Sequence, residues 1–146
     1  MKPLLVGEAN PHSENPRRAL APLPRGAAGD RLRAILGMTD REYMRAFVRT
    51  NVCRGPWDER QAKLNAGALL LGPFHPGPYI LLGRKVCAAF GVPYLPFKRQ
   101  RYGSRPWEFL VLPHPSGRCR AWNDPRATTR TRRVVRGMIR EMEEVG

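Results

Sequence analysis

The stretch WEFLVLPHPSGR at residues 107–118 decides the fold that this sequence predicts. Its first half is apolar apart from Glu108, as in a buried strand. Its second half is a turn that two prolines and a glycine make rigid around His114 and Ser116, with Arg118 at its edge. Turns at the carboxyl ends of strands are where α/β proteins place groups that handle ligands. The stretch therefore predicts a core strand that ends at a functional site.

A second stretch of the same kind, LLVGEANPH, lies near the start of the chain at residues 4–12. It is also a short apolar strand that opens into a polar turn stiffened by proline. The turn carries Glu8 and Asn10. Because parallel strands end at the same edge of a sheet, the two turns together predict one site.

The length of 146 residues is enough for a buried core, and we expect a single domain over residues 1–146. No continuous apolar run is long enough to span a membrane. The first residues also lack the layout of a secretory signal. We therefore expect a monomer in the cytoplasm that has no membrane partner.

The charge balance predicts a nucleic-acid partner. The chain has 26 lysines and arginines against 12 acidic residues, which gives a net charge of +14. Most of the basic residues are arginine, whose planar guanidinium suits phosphate contacts. A genome rich in G and C would explain the preference for arginine over lysine, but it would not explain the positive excess. We therefore expect the chain to contact nucleic acid.

The cysteines and histidines give no sign of a metal site or a disulfide framework. Cys53, Cys87 and Cys119 lie far apart and lack Cys-x-x-Cys spacing, and the histidines are scattered. The sequence also has neither a Gly-x-Gly-x-x-Gly motif after its first strand nor a Walker-type lysine loop, which disfavours dinucleotides and nucleoside triphosphates. We expect no metal and no cofactor.

Apolar periodicity and turn residues predict strands that alternate with helices. The predicted strands are residues 2–8, 48–53, 79–82 and 107–112, and the predicted helices are residues 30–36, 39–47, 58–71, 83–91 and 125–144. This order is typical of a small parallel sheet with helices on both faces. Residues 98–105 are predicted to form an exposed basic loop, either a solvated connection or a phosphate contact.

Four short stretches resemble motifs of the uracil-DNA glycosylase superfamily. The turn GEANP at residues 7–11 is similar to the superfamily's water-activating motif, and HPSG at residues 114–117 is similar to its second motif. TNV at residues 50–52 resembles the segment that carries the base-reading asparagine. GAAGDRL at residues 26–32 is similar to the Gly-x-Ala-Gly-x-x-Leu stretch. The resemblance covers most of the chain.

The resemblance implies a fold and an activity. The fold would be a three-layer α/β/α arrangement around a small central parallel sheet of about four strands. The activity would be that of a monofunctional DNA glycosylase. Such an enzyme flips uracil or a modified pyrimidine out of DNA, hydrolyses its N-glycosidic bond and leaves an abasic site.

The resemblance also assigns roles to residues. His114 would face the base, Asn51 would read it, and either Glu8 or Asn10 would hold the attacking water. The turn after His114 would enter the minor groove and grip the flanking phosphates. With the basic loop included, the expected DNA contacts are Arg99, Arg101, Ser116, Gly117, Arg118 and Arg120.

The residue types suit these roles. Departure of the base leaves negative charge on a pyrimidine oxygen, and a donor such as His114 stabilises that charge as it develops. Asn51 offers both a donor and an acceptor to the edge of a pyrimidine. A carboxylate such as Glu8 also favours the cationic sugar.

The sequence departs from the superfamily pattern in two places. The cysteines that hold an iron–sulfur cluster in some branches have no counterpart. Leu23 and Pro24 stand where an aromatic residue usually stacks on the flipped base, so we assign these two residues to base binding. The excised base could therefore be uracil or a larger or modified pyrimidine. The sequence also does not distinguish single-stranded from double-stranded DNA as substrate, or a role in repair from one in defence against foreign DNA.

Two other functions compete with the glycosylase. A non-catalytic module on the same scaffold would bind DNA or recognise a base without cleaving it. A hydrolase of another α/β type would use Ser116 and His114 as a nucleophile and base pair, but no matching acid is apparent. Each residue also has an ordinary alternative, since asparagine is common in turns and a histidine before proline often bonds a backbone carbonyl.

Overall fold

A computed structural model describes residues 1–10, 13–72, 75–102 and 107–145. The strands are β1 (Leu4–Gly7), β2 (Val48–Asn51), β3 (Tyr79–Leu82), β4 (Arg99–Tyr102) and β5 (Trp107–Leu112). The helices are α1 (Ala28–Leu36), α2 (Asp40–Ala46), α3 (Glu59–Leu71), α4 (Arg84–Phe90) and α5 (Pro125–Val145). In the described ranges no helix combines the length and the apolar character needed to cross a bilayer.

The described strands form one mixed, mostly parallel sheet of five in the order β2-β1-β3-β5-β4. Strands β1, β2, β3 and β5 are parallel, and β4 runs antiparallel to β5. The carboxyl ends of the parallel strands therefore meet on one side of the sheet, where Glu8, Val52, Gly83 and Pro113 follow them. We call this side the carboxyl edge.

Successive residues of the central strands face two different apolar clusters, as the pleat of a strand requires. Leu4 and Val6 pack with residues of α3 and α4, whereas Leu5 packs with residues of α1, α2 and α5. Every residue of β1 and β3 is buried, which is typical of parallel strands covered on both faces. The continuous apolar runs in the sequence are a consequence of this burial.

The predicted helices and parallel strands are confirmed, with small shifts at their ends. Thr39 and Glu42 form the predicted capping box of α2, and Asp58 caps α3 by accepting a hydrogen bond from the backbone N–H of Gln61. Gly37 ends α1 in the left-handed region with a φ of 68°. Local sequence signals therefore set these boundaries.

The prediction of four parallel strands is wrong in one respect, because the sheet has the additional antiparallel strand β4. This strand, RQRY, lies within the predicted basic loop at residues 98–105. Gln100 is buried while Arg99 and Arg101 are exposed, so the strand has no apolar run that reveals it. A polar strand at the edge of a sheet owes its conformation to pairing with its neighbour, here β5. Residues 103–106, which include the rest of the predicted loop, lie outside the described residues.

The long connection between β1 and α1, residues 8–27, is held against the sheet at its middle. Gly29 in the first turn of α1 packs directly on the backbone carbonyl of Leu20, where any side chain would collide. The buried Tyr43 hydroxyl donates a 2.8 Å hydrogen bond to that same carbonyl. Arg49 donates a 2.8 Å hydrogen bond to the carbonyl just before Leu20. These contacts fix the connection over the carboxyl edge.

We expect Gly29→Ala to destabilise the fold by about 1–3 kcal/mol, because its Cβ would meet backbone atoms that cannot move aside. Gly67→Ala is the matched control, since a Cβ at this α3 position meets open space. Alanine should stabilise that helix by about 0.5–1 kcal/mol. Urea denaturation of both variants tests the pair, and an equal effect of the two substitutions would contradict the packing described for Gly29.

Candidate functional site

A cavity of about 420 Å³ opens at the carboxyl edge, between the strand ends and the connection from β1 to α1. Its volume lies in the range of small-molecule sites. The cavity is lined by all of the predicted catalytic and base-binding residues, namely Glu8, Asn10, Leu23, Pro24, Asn51 and His114. Residues that are remote in the sequence therefore meet in one place.

Glu8 and His114 are neighbours in the lining of this cavity. Glu8 follows β1 and His114 follows β5, and the Glu8 Oε1 atom lies 4.0 Å from the His114 Nε2 atom. Their side chains are 25% and 32% exposed, so both are partly buried. At this separation a carboxylate and an imidazole can both reach a small group bound beside them.

Gly83 makes this approach possible. It follows β3, the strand that lies between β1 and β5 in the sheet. A Cβ at Gly83 would lie 3.2 Å from the Cβ of His114 and 3.5 Å from Oε1 of Glu8. The residue also has a φ of 94°, a conformation that side chains disfavour. The sequence analysis missed this role, although a glycine directly after an apolar strand is a signal for it.

His114 is held by the turn that carries it. The prolines on either side, Pro113 and Pro115, are buried. The indole N–H of Trp122 donates a 3.0 Å hydrogen bond to the backbone carbonyl of His114. Trp122 also packs edge-on against Phe97. The imidazole is thus attached to a rigid backbone while the ring itself faces the cavity.

Asn51 reaches the cavity from the end of β2. It lies opposite Gly7 in the register of β1 and β2, and a Cβ at Gly7 would lie 2.5 Å from Oδ1 of Asn51. The absence of a side chain at Gly7 therefore lets the amide lie over β1. Among the described residues, no hydrogen bond occupies the amide of Asn51, so its donors and acceptor are available to a ligand.

Three other polar residues described in the connection between β1 and α1 line the cavity, namely Asn10, Ser13 and Arg18. Asn10 pairs through its backbone with Gly55 as an isolated antiparallel bridge, which places the turn after β1. Pro11 of the predicted motif lies outside the described residues. Arg18, at the end of the short 3₁₀ helix Pro16–Arg18, also lines the cavity and was not predicted as a site residue. Its position follows from the packing of this 3₁₀ helix against β2, which the sequence does not signal.

Leu23 and Pro24 form an apolar wall at the mouth, with Leu23 60% exposed. The segment after them is anchored by a network of charges. Arg25 donates to Asp40 at 2.9 and 3.0 Å and to Asp30 at 3.0 Å. The backbone N–H of Gly26 also donates to Asp30, and these hydrogen bonds hold the pKa of Asp30 well below its usual range. The wall is therefore tied to the first turn of α1.

The predicted DNA-contacting residues are divided between two regions. Ser116, Gly117, Arg118 and Arg120 follow His114 in the chain, and all except the half-buried Ser116 are exposed.

Arg99, a predicted DNA contact, lies in a different part of the structure. It lines a different cavity with Pro78, which precedes β3, and is therefore away from the carboxyl edge. Its guanidinium is paired with Glu108 and Glu141, so its charge is neutralised internally. Arg101 is exposed on the same edge strand, β4, and does not line the cavity at the carboxyl edge.

The cysteines do not form a site with their neighbours. Cys53 and Cys87 are buried and Cys119 is half-buried, and none of them is in a disulfide. Burial raises the pKa of the Cys87 thiol to about 11, which disfavours the thiolate that metals bind. Over the described part of the chain, no three histidine, cysteine, aspartate or glutamate side chains are grouped so that they could hold a metal ion.

Comparison with known proteins gives no match to a protein-family model, to a curated protein or to a solved structure. The functional conclusion therefore depends on the cavity at the carboxyl edge and on the chemistry of its side chains.

We expect the stabilising contribution of Asp30 to depend on pH. Because its pKa is lowered in the folded state, the contribution is complete above the usual aspartate pKa of about 4 and is lost as the pH falls below it. Asp30→Asn should therefore melt at a lower temperature than the wild type at pH 7, and the difference should shrink between pH 5 and pH 3. Thermal melts across this range test the expectation, with the exposed Glu144→Gln as control. A difference that stays constant with pH would contradict it.

Proposed function

We propose that this protein is a monofunctional DNA glycosylase that removes uracil or a modified pyrimidine from DNA and leaves an abasic site. In this proposal its sheet and helices form the three-layer core of the uracil-DNA glycosylase superfamily. The observation that carries the proposal is the proximity of Glu8 and His114, 4.0 Å apart, in a cavity that Asn51 also lines. A carboxylate, an imidazole and an unoccupied amide are the groups that base excision requires.

The reaction places opposite demands on the two sides of the sugar. Water adds its oxygen to C1′, and the C1′–N bond breaks with its electron pair going to the base. Glu8 orients the water, accepts its proton and stabilises the positive charge on the sugar. His114 donates a hydrogen bond to the pyrimidine oxygen on which negative charge develops. The base then leaves after taking up a proton.

Asn51 provides recognition of the base. Its amide presents a donor and an acceptor to the polar edge of a pyrimidine, a pattern that a lysine or carboxylate does not supply. Its position over Gly7 fixes the distance between the base and Glu8, since both residues adjoin the end of β1. The reacting bond is thereby held near the water-orienting carboxylate.

The positive charge of the chain supports DNA as the substrate. The net charge of +14 favours association with a polyanion and makes binding sensitive to salt. Arg118 and Arg120 follow His114 closely in the chain and are exposed, and neither is in an ion pair with a described residue. They are therefore available to phosphates that flank an everted nucleotide.

A strand-break assay tests the proposal. Fluorescent oligonucleotides that each contain one uracil or one modified pyrimidine are incubated with the protein and then heated in alkali, which cleaves abasic sites. We expect a break at the position of the excised base. If none of the oligonucleotides is cleaved and mass spectrometry detects no released base, the protein is not a glycosylase for the bases tested and the proposal is wrong.

We expect His114→Ala to reduce the single-turnover rate by about 10²–10³-fold and to change DNA affinity only slightly, because the hydrogen bond strengthens as charge develops on the base. His114→Gln, which keeps a donor, should retain more activity than His114→Ala. Quench-flow rates and fluorescence anisotropy separate the two effects. Equal losses of rate and affinity would contradict the assigned role.

We expect Glu8→Gln to lose more activity than Asn10→Ala, by about tenfold or more, because only a carboxylate both accepts the water proton and stabilises the cationic sugar. Single-turnover rates at one pH, with binding measured in parallel, provide the comparison. Should Asn10→Ala be the slower variant, the water would be assigned to Asn10 instead.

A non-catalytic DNA-binding module is the second candidate. It is favoured by the wall of Leu23 and Pro24, since no phenylalanine, tyrosine or tryptophan among the described residues lines the cavity to stack on a base. Tight, salt-sensitive binding without any abasic product would identify this function.

A further inference from the structure

The arginines around α1 differ in the partners they have. Arg25 and Arg33 are both bound to Asp30 and Asp40, and their charges are neutralised within that network. Arg31 lies between them in the sequence, yet among the described residues it forms no ion pair. The charges of Arg25 and Arg33 therefore stabilise the fold through ion pairs, whereas the charge of Arg31 does not.

The guanidinium of Arg31 is nevertheless held in a defined place. Its Nε–H donates a 3.0 Å hydrogen bond to the backbone carbonyl of Gly26. A Cβ built on Gly117 would lie 2.8 Å from Nη2, 2.9 Å from Cζ and 3.0 Å from Nη1 of Arg31. These nearly equal distances mean that the flat face of the guanidinium lies over Gly117. A side chain at Gly117 would displace it.

This arrangement leaves the edge of the guanidinium free. The N–H groups of both terminal nitrogens lie in the guanidinium plane, parallel to the surface of Gly117. In the described part of the chain no acceptor is bonded to them, and Arg31 is exposed. An arginine that presents two terminal nitrogens in a fixed orientation is suited to bidentate binding of a phosphate.

Arg31 also bridges the two segments that border the cavity. Gly26 belongs to the segment after Leu23 and Pro24, and Gly117 belongs to the turn that follows His114. The free N–H groups therefore lie on the rim of the mouth through which an everted nucleotide would enter. A phosphate of the same strand would pass close to this rim.

We infer that Arg31 binds a backbone phosphate of the DNA strand next to the everted nucleotide, with Gly117 as the platform for its guanidinium. This inference rests on the proposed function and adds a DNA-binding residue to it. Because Gly117 has no side chain, the guanidinium of Arg31 can lie directly against its backbone.

A salt titration tests the contact without depending on the identity of the base. The probe is a fluorescein-labelled oligonucleotide with one tetrahydrofuran abasic analogue, which the protein does not turn over. We expect Arg31→Gln to bind it roughly tenfold more weakly than the wild type. The plot of log Kobs against log salt should become shallower by about 0.7–0.9, the value for one phosphate. Arg133→Gln, on an exposed position of α5, is the matched control and should leave both quantities unchanged.

Gly117→Ala provides a second test that keeps every charge. Its Cβ should displace the flexible Arg31 side chain without disturbing the fold, so this variant should also bind roughly tenfold more weakly. The double variant Arg31→Gln/Gly117→Ala should be no weaker than Arg31→Gln, because both changes remove the same contact. Additive losses would show that Gly117 acts without Arg31 and would overturn the inference.

Methylphosphonate oligonucleotides, which lack the charge of one phosphate, then locate the contact. At one position beside the abasic analogue the replacement should weaken the wild type about tenfold and leave Arg31→Gln almost unaffected. An unchanged salt slope and a lower melting temperature for Arg31→Gln would assign the residue a structural role instead. If the wild type releases a base but Arg31→Gln matches it in every measurement, the inference fails while the glycosylase stands. If the wild type neither binds the probe nor releases any base, both fail.

Discussion

The constraint on which the site depends is the need for bare backbone at the ends of the central strands. Gly7 ends β1 and Gly83 follows β3, and neither position has room for a side chain. The vacated space is occupied by the amide of Asn51 in the first case and by Glu8 and His114 in the second. Functional side chains from one strand thus lie over the glycine of the next, which brings groups from β1, β2 and β5 into one cavity.

The sequence reveals the parts of the molecule that burial and local chemistry determine. β1, β3 and β5 are continuous apolar runs because both faces of the sheet are covered, and the capping residues Thr39 and Asp58 mark where α2 and α3 begin. The turns after β1 and β5 are also visible, since proline and glycine stiffen them. Parallel topology then carries their polar residues to the same edge.

The parts that the sequence conceals are those that depend on partners remote in the chain. β4 is polar and is a strand because β5 pairs with it, so its residues were expected to form a loop. Arg99 is indistinguishable from other arginines in the sequence, and the carboxylates that neutralise it come from β5 and α5. The sequence likewise does not show that Arg18 and Arg31 lack a carboxylate partner among the described residues, because ion pairing depends on the folded chain. Composition therefore predicts that the net charge is positive, but it does not show which arginines are free to bind an anion.

The polar character of β4 has a consequence for how these molecules meet one another. An edge strand exposes unpaired backbone groups that invite a second copy to extend the sheet. Here an approaching copy would bring its own exposed Arg101 to an edge that already has a like-charged guanidinium, and like charges on paired strands are destabilising. Their repulsion opposes edge-to-edge pairing of two sheets, so β4 is protected against aggregation through its exposed edge.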